Sequence, residues 1–166
     1  MPERLDTVDE MLRQWQRERP DLDTSGMTVV LRILFLAGLY DERLKSALEP
    51  VGLAPWEFDV LSALLRSDAG SGLSPTELCR YAQLTSGAMT NRIDRLAKRG
   101  LVRRRPNPED GRSTLVLLTA KGRRLVDEII DARMADAKDC VRTLRAGECL
   151  ELARLLRRLS VDAPLE

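Results

Sequence analysis

Residues 73–126 read LSPTELCRYAQLTSGAMTNRIDRLAKRGLVRRRPNPEDGRSTLVLLTAKGRRLV, and their capping, turn and apolar signals divide them into distinct elements. Ser74-Pro75-Thr76-Glu77 is a capping box with proline at the first helical position, so a helix opens there and runs to about Ala82. After a tight turn through Gln83 and Leu84, Thr85 or Ser86 can cap a second helix, which reaches Arg99 and stops at Gly100. Residues 101–105 then read as a strand, 106–111 as a turn-rich tip and 113–118 as the returning strand of a hairpin. Helix, short turn, helix and hairpin in this order make a winged helix-turn-helix, in which the second helix enters the major groove of a duplex and the wing meets backbone or minor groove.

The flanks are helical. Upstream, 55–66 crowds Trp56, Phe58, Val60, Leu61, Leu64 and Leu65 on both sides of a helix that must be a core element. Before it, 27–49 carries Val30, Ile33, Leu34, Ala37, Tyr40, Leu44 and Ala47 on one face and is nearly apolar through its middle, which suggests burial against a second subunit. Leu5, Val8, Leu12 and Trp15 describe a short amphipathic helix ending before Pro20. Downstream, 120–142 and the stretch after Gly147, with Leu152, Leu155, Leu156 and Leu159, are two more helices. The expected fold is mainly α with a small β wing: N-terminal helices over 1–50, the winged helix-turn-helix over 51–119, and C-terminal dimerisation helices over 120–166.

Composition narrows the function. The 166 residues are 43% hydrophobic and 32% charged, as in one globular domain with helical extensions. Arg32 and Asp41 bracket the longest apolar candidate, far short of the ~18 residues of a membrane span. The charged N-terminus lacks the apolar core of a secretion signal, so a cytoplasmic location is expected. There is no histidine, which removes Ser-His and Cys-His nucleophile pairs, His-ligated metals and imidazole acid–base chemistry. With no nucleophile beside a base, no metal cluster and no phosphate loop, neither an enzyme nor a cofactor is expected. Cys79, Cys140 and Cys149 form no CxxC pair and read as reduced core thiols, with a redox switch at Cys79 or Cys140 as the alternative.

The net charge of +1 hides an asymmetry: residues 80–112 hold nine Arg or Lys against Asp94, Glu109 and Asp110, while the remainder is net negative. A local positive field suits a polyanion. The second helix of the motif opens with small, hydrogen-bonding residues, so Ser86, Thr90 and Asn91 can reach base edges or phosphates. Arg95 and Lys98 follow one and two turns later, and Arg112 at the hairpin tip suits phosphates or a narrow minor groove. These six are the candidate DNA-binding residues, and double-stranded DNA is the expected partner.

From the capping box to the LTAKG helix start, the quoted stretch resembles the MarR family of bacterial transcriptional regulators. One departure is at the wing tip, where the family often has DRR and this chain has Asp110-Gly111-Arg112. The resemblance implies an obligate homodimer whose terminal helices interleave. Its two recognition helices, ~34 Å apart, would read a pseudo-palindromic operator. The extra N-terminal helix, MLRQWQRERPDLDTSGM, together with WEFDVL, is similar to the urate-responsive, PecS-like branch. That likeness implies a ligand site at Trp15, Asp59, Arg92 and Arg104, and a repressor role in which urate or a related purine releases the operator.

Residue chemistry supports that set. An ionised Asp59 among Trp56, Phe58, Val60 and Ala63 would be costly without a cation, and Arg92 is the expected partner. A planar anion matches an Arg fork and the face of Trp15, and Asp59 can accept from a ring N–H. The alternatives are a structural Asp59–Arg92 ion pair with Trp15 as a helix anchor, or a regulator that senses phenolic or lipophilic compounds or thiol oxidation.

Overall fold

The computed structural model describes residues 5–67, 71–82, 86–110 and 113–162, with the backbone alone at 82, 86, 87 and 162. The chain divides into two compact units, 1–55 and 56–166.

In the first unit, α1 (Thr7–Glu18) begins at a capping box absent from the sequence-based expectation. The Asp9 N–H donates to the Asp6 carboxylate at 2.9 Å, and the Asp6 N–H donates to Asp9 at 3.0 Å. Aspartate does here what Glu or Gln usually does at the third helical position. Arg32 of α2 (Ser25–Leu48) then closes on both acids, its Nε 2.9 Å from Asp6 and its Nη2 2.6 Å from Asp9. The backbone N–H of Asp6 and this guanidinium hold the Asp9 carboxyl below the ordinary carboxylate range.

The second helix starts two residues earlier than its apolar periodicity indicates; Thr24 at its N-cap makes no side-chain cap bond, and the Ser25 N–H donates to the Asp23 carboxylate at 2.9 Å. It ends in a 3₁₀ turn, Glu49–Val51, closed by Gly52 at φ 62°. Along α2 only Leu48 is buried, whereas Met27, Val30, Leu34, Phe35 and Leu39 of the apolar middle are exposed in the single chain.

The second unit holds α3 (Pro55–Arg66), α4 (Pro75–Ala82), α5 (Ser86–Lys98), β1 (Val102–Pro106), β2 (Thr114–Leu118), α6 (Ala120–Cys140) and α7 (Ala146–Asp162). Its core is built from Val60 and Leu61 of α3, Leu78 of α4, Met89, Ile93 and Leu96 of α5, Val116 of β2 and Val126 of α6, all fully buried. The strands pair antiparallel, with Val102 opposite Leu118 and Arg104 opposite Val116. Leu101, expected to begin the first strand, is instead held in the turn after α5. Its N–H donates to the Leu96 carbonyl at 3.0 Å, and its carbonyl accepts from the Thr119 N–H at 3.0 Å.

Two close approaches explain glycines. Leu73 forms an antiparallel bridge to Val116, a third, one-residue strand on the wing that the hairpin pattern does not reveal. Gly72, at φ 82°, lies so close beneath it that a Cβ would meet the Val116 carbonyl oxygen at 2.8 Å. Gly122, in the first turn of α6, lies over the Leu101 carbonyl, where a Cβ would stand 2.0 Å from the oxygen. The Thr119 hydroxyl caps α6 by accepting from the Gly122 N–H at 3.0 Å while donating to the Gly100 carbonyl at 2.7 Å. The LTAKG signature is therefore a joint between the wing and the C-terminal helices. On α7, Leu150, Leu152, Leu155, Leu156 and Leu159 are exposed.

Candidate nucleic-acid interface

Helical spacing sorts α5 into two faces. Met89, Ile93 and Leu96 are buried, and Thr90, Asn91, Arg95 and Lys98 are exposed on the other side. Four of the six candidate DNA contacts thus share one solvent face. Ser86 begins α5, but its side chain lies outside the described residues, as does the whole of Arg112. Arg103 and Arg104 of β1 add exposed positive charge beside the helix.

The preceding helix is anchored as expected. Glu77 accepts from the Ser74 N–H and hydroxyl, each at 2.7 Å, while the Glu77 N–H donates to the Ser74 hydroxyl at 3.2 Å. The serine hydrogen bonds hold the Glu77 carboxyl below its usual value. At the far end of α5 a second anchor was not anticipated. Arg99 reaches back to the α3 carboxylate of Glu57 at 2.7 Å, and Lys121 of α6 donates to the Arg99 carbonyl at 3.0 Å.

This pair corrects the reading of α3. The buried carboxylate of that helix is Glu57, only 4% exposed, whereas Asp59 is exposed over much of its surface. Phe58 and Val60, on either side of Asp59, turn inward, and the i−2 position, Glu57, takes the interior. Partial desolvation still pushes the Asp59 carboxyl above its ordinary value, with Arg66 and Arg92 pulling the other way through space. Among the described residues no ion pair joins Asp59 to Arg92. The Arg92 guanidinium lies instead over the indole of Trp56, 5.0 Å from the ring centroid, and Arg95 lies over the same ring at 5.1 Å. Spacing along one helix could not reveal this contact, because the ring belongs to α3 and the cations to α5.

The other two candidate ligand residues are placed as follows. Arg104 pairs with Asp94 of α5 at 2.8 Å, linking wing and helix. Trp15 lies on α1, in the other unit, and is 48% exposed. Cys79, Cys140 and Cys149 are free thiols of intermediate exposure rather than buried core groups.

The profile of the MarR family matches residues 51–113, from the end of the 3₁₀ turn to the returning strand. Beyond that segment, the HTH-type transcriptional regulator PecS of Dickeya dadantii is 30% identical over 152 residues, 92% of either chain. The chain belongs to the MarR family. Among solved relatives of this MarR-family protein, a mutant of Escherichia coli MarR complexed with operator DNA is 26% identical at a TM-score of 0.69. The match covers 87% of this chain and 96% of that one. Bordetella bronchiseptica BpsR, whose DNA binding is regulated by 6-hydroxynicotinic acid, is also 26% identical at TM-score 0.69, covering 82% and 94%. The winged unit is accordingly that of a DNA-binding transcriptional regulator, not an enzyme. No described helix is long and apolar enough to cross a membrane.

Proposed function

We propose that the chain acts as a cytoplasmic homodimer that represses transcription from a pseudo-palindromic operator and is released by a small aromatic anion of the urate type. Ser86, Thr90, Asn91, Arg95, Lys98 and Arg112 make the operator contacts; Trp15, Asp59, Arg92 and Arg104 hold the effector. The apolar residues exposed on α2 and α7 support the dimer, since apolar surface on that scale calls for a partner. They support reading α2 and α7 as dimerisation helices, within the proposed segments 1–50 and 120–166 that flank the DNA-binding segment 51–119.

One observation carries the effector reading. Asp59 is held partly desolvated, with two arginines acting on it from a distance and no ion pair to Arg92. A structural ion pair would have used that carboxylate; a ligand with a ring N–H and an anionic edge would satisfy both Asp59 and Arg92. The likeness to PecS supports the choice of urate, and the regulation of BpsR by an aromatic acid supports the wider class. Trp15, in the other unit, rests on the resemblance alone. Release requires the anion to bind the DNA-incompetent shape of the dimer better than the competent one.

Urate titrated into a protein–operator complex, with 6-hydroxynicotinic acid in parallel, tests this by gel shift. Release by urate that is lost in Asp59→Asn and Arg92→Ala supports it. Full retention of the complex at millimolar urate refutes the urate reading, and release by the second acid alone moves the effector to another aromatic class.

A further inference from the structure

Trp56 sits on α3 with the guanidinium groups of Arg92 and Arg95, three residues apart on α5, at 5.0 and 5.1 Å from the centre of its indole. The ring is neither fully buried nor free, and Arg95 is exposed on the face that carries Thr90, Asn91 and Lys98. We infer that Trp56 is a positioning residue for operator binding: its indole holds Arg95 in the orientation that meets a phosphate, and it ties the position of Arg95 to that of Arg92.

Two properties of arginine support this. Contact with an aromatic ring engages the π system and the cationic carbon, leaving the in-plane N–H donors able to bond phosphate oxygens at the same time. An arginine free in solvent loses considerable rotamer entropy when it is fixed on DNA, and one already resting on a ring has lost part of it beforehand. Because Arg92 uses the same indole, a change that draws Arg92 away alters the surroundings of Arg95 on the same helix. The inference rests on the Arg95 contact proposed above and is independent of which effector binds.

A double-mutant cycle tests it on a duplex selected from a random library by the unaltered protein. Trp56→Leu is expected to weaken binding about three- to fivefold, and to change it by less than about 1.5-fold when Arg95 is already alanine. Trp56→Phe, which keeps an aromatic face, is expected to remain within about twofold of the parent chain. A loss of equal factor in both backgrounds means that Trp56 acts through the packing of α3 and overturns the inference, as does a Phe variant as weak as the Leu variant. If Arg95→Ala binds like the parent, the assignment of Arg95 to the operator fails first, and the role of Trp56 falls with it.

Discussion

Gly122→Ala tests the joint between wing and C-terminal helices, and its effect can be worked from distances. The added Cβ would stand 2.0 Å from the Leu101 carbonyl oxygen and 2.9 Å from its carbon, whereas comfortable C···O contact begins near about 3.3 Å. The first turn of α6 and the Leu101 carbonyl must therefore separate by about 1 Å or more. Relieving such an overpacked contact costs about 1–3 kcal/mol. The same carbonyl accepts from the Thr119 N–H at 3.0 Å, and weakening that bond adds about 1 kcal/mol. Alanine recovers at most about 1 kcal/mol of helix propensity. The balance is a loss of about 2 kcal/mol, or a fall of about 4–8 °C in Tm for a chain of this length. Gly147→Ala, in the first turn of α7 with no neighbour within 4 Å, is the control, and it should gain up to about 1 kcal/mol. Thermal melts at one protein concentration, which holds any self-association constant, compare the two. A Gly122→Ala Tm within a degree of the parent, or a shift of the same sign in both variants, would refute the reasoning.

Two further outcomes follow from the charged groups. Desolvation raises the Asp59 carboxyl, so the native chain binds that proton more tightly than the unfolded chain does. Its contribution to stability therefore declines as pH rises above about 4. Asp59→Asn should raise Tm at pH 7, with the gain vanishing near about pH 3 where the carboxyl is protonated in both states; a lower Tm at pH 7 contradicts the assignment. Asp9 has the opposite sign: its lowered value stabilises the α1–α2 clasp above the ordinary carboxylate range, and that contribution is lost as pH falls below about 4. Arg32→Gln should loosen α1 already at neutral pH, seen as faster amide hydrogen exchange over Thr7–Glu18 with the second unit unchanged; unaltered protection of α1 would show that the clasp carries nothing.

Much of the architecture was legible because its signals are local. The Ser74–Glu77 capping box, Gly100 at φ 71° and the apolar period of α5 each depend on residues a few positions apart, and each appears where expected. Helix starts differ from the apolar pattern where polar residues outside it decide the first turn, as the Asp6 cap does for α1. The candidate site was legible in residue type but not in pairing. Residue chemistry picks out Arg92, Arg95, Arg104 and Asp59 and pairs Arg92 with Asp59, whereas in the fold Arg92 lies over Trp56 and Arg104 holds Asp94.

The amino-acid order alone determined the winged helix-turn-helix, the basic bias of 80–112, the absence of imidazole chemistry and the family likeness, since each is a matter of composition or short-range spacing. The tertiary structure decided which α3 carboxylate is buried, which arginines share an indole, why Gly72 and Gly122 carry no side chain, and that Leu73 adds a one-residue strand to the wing. Those outcomes join residues from different elements. A contact across elements depends on the angle at which packed cores present their faces, and no periodicity along a single helix or strand encodes that angle.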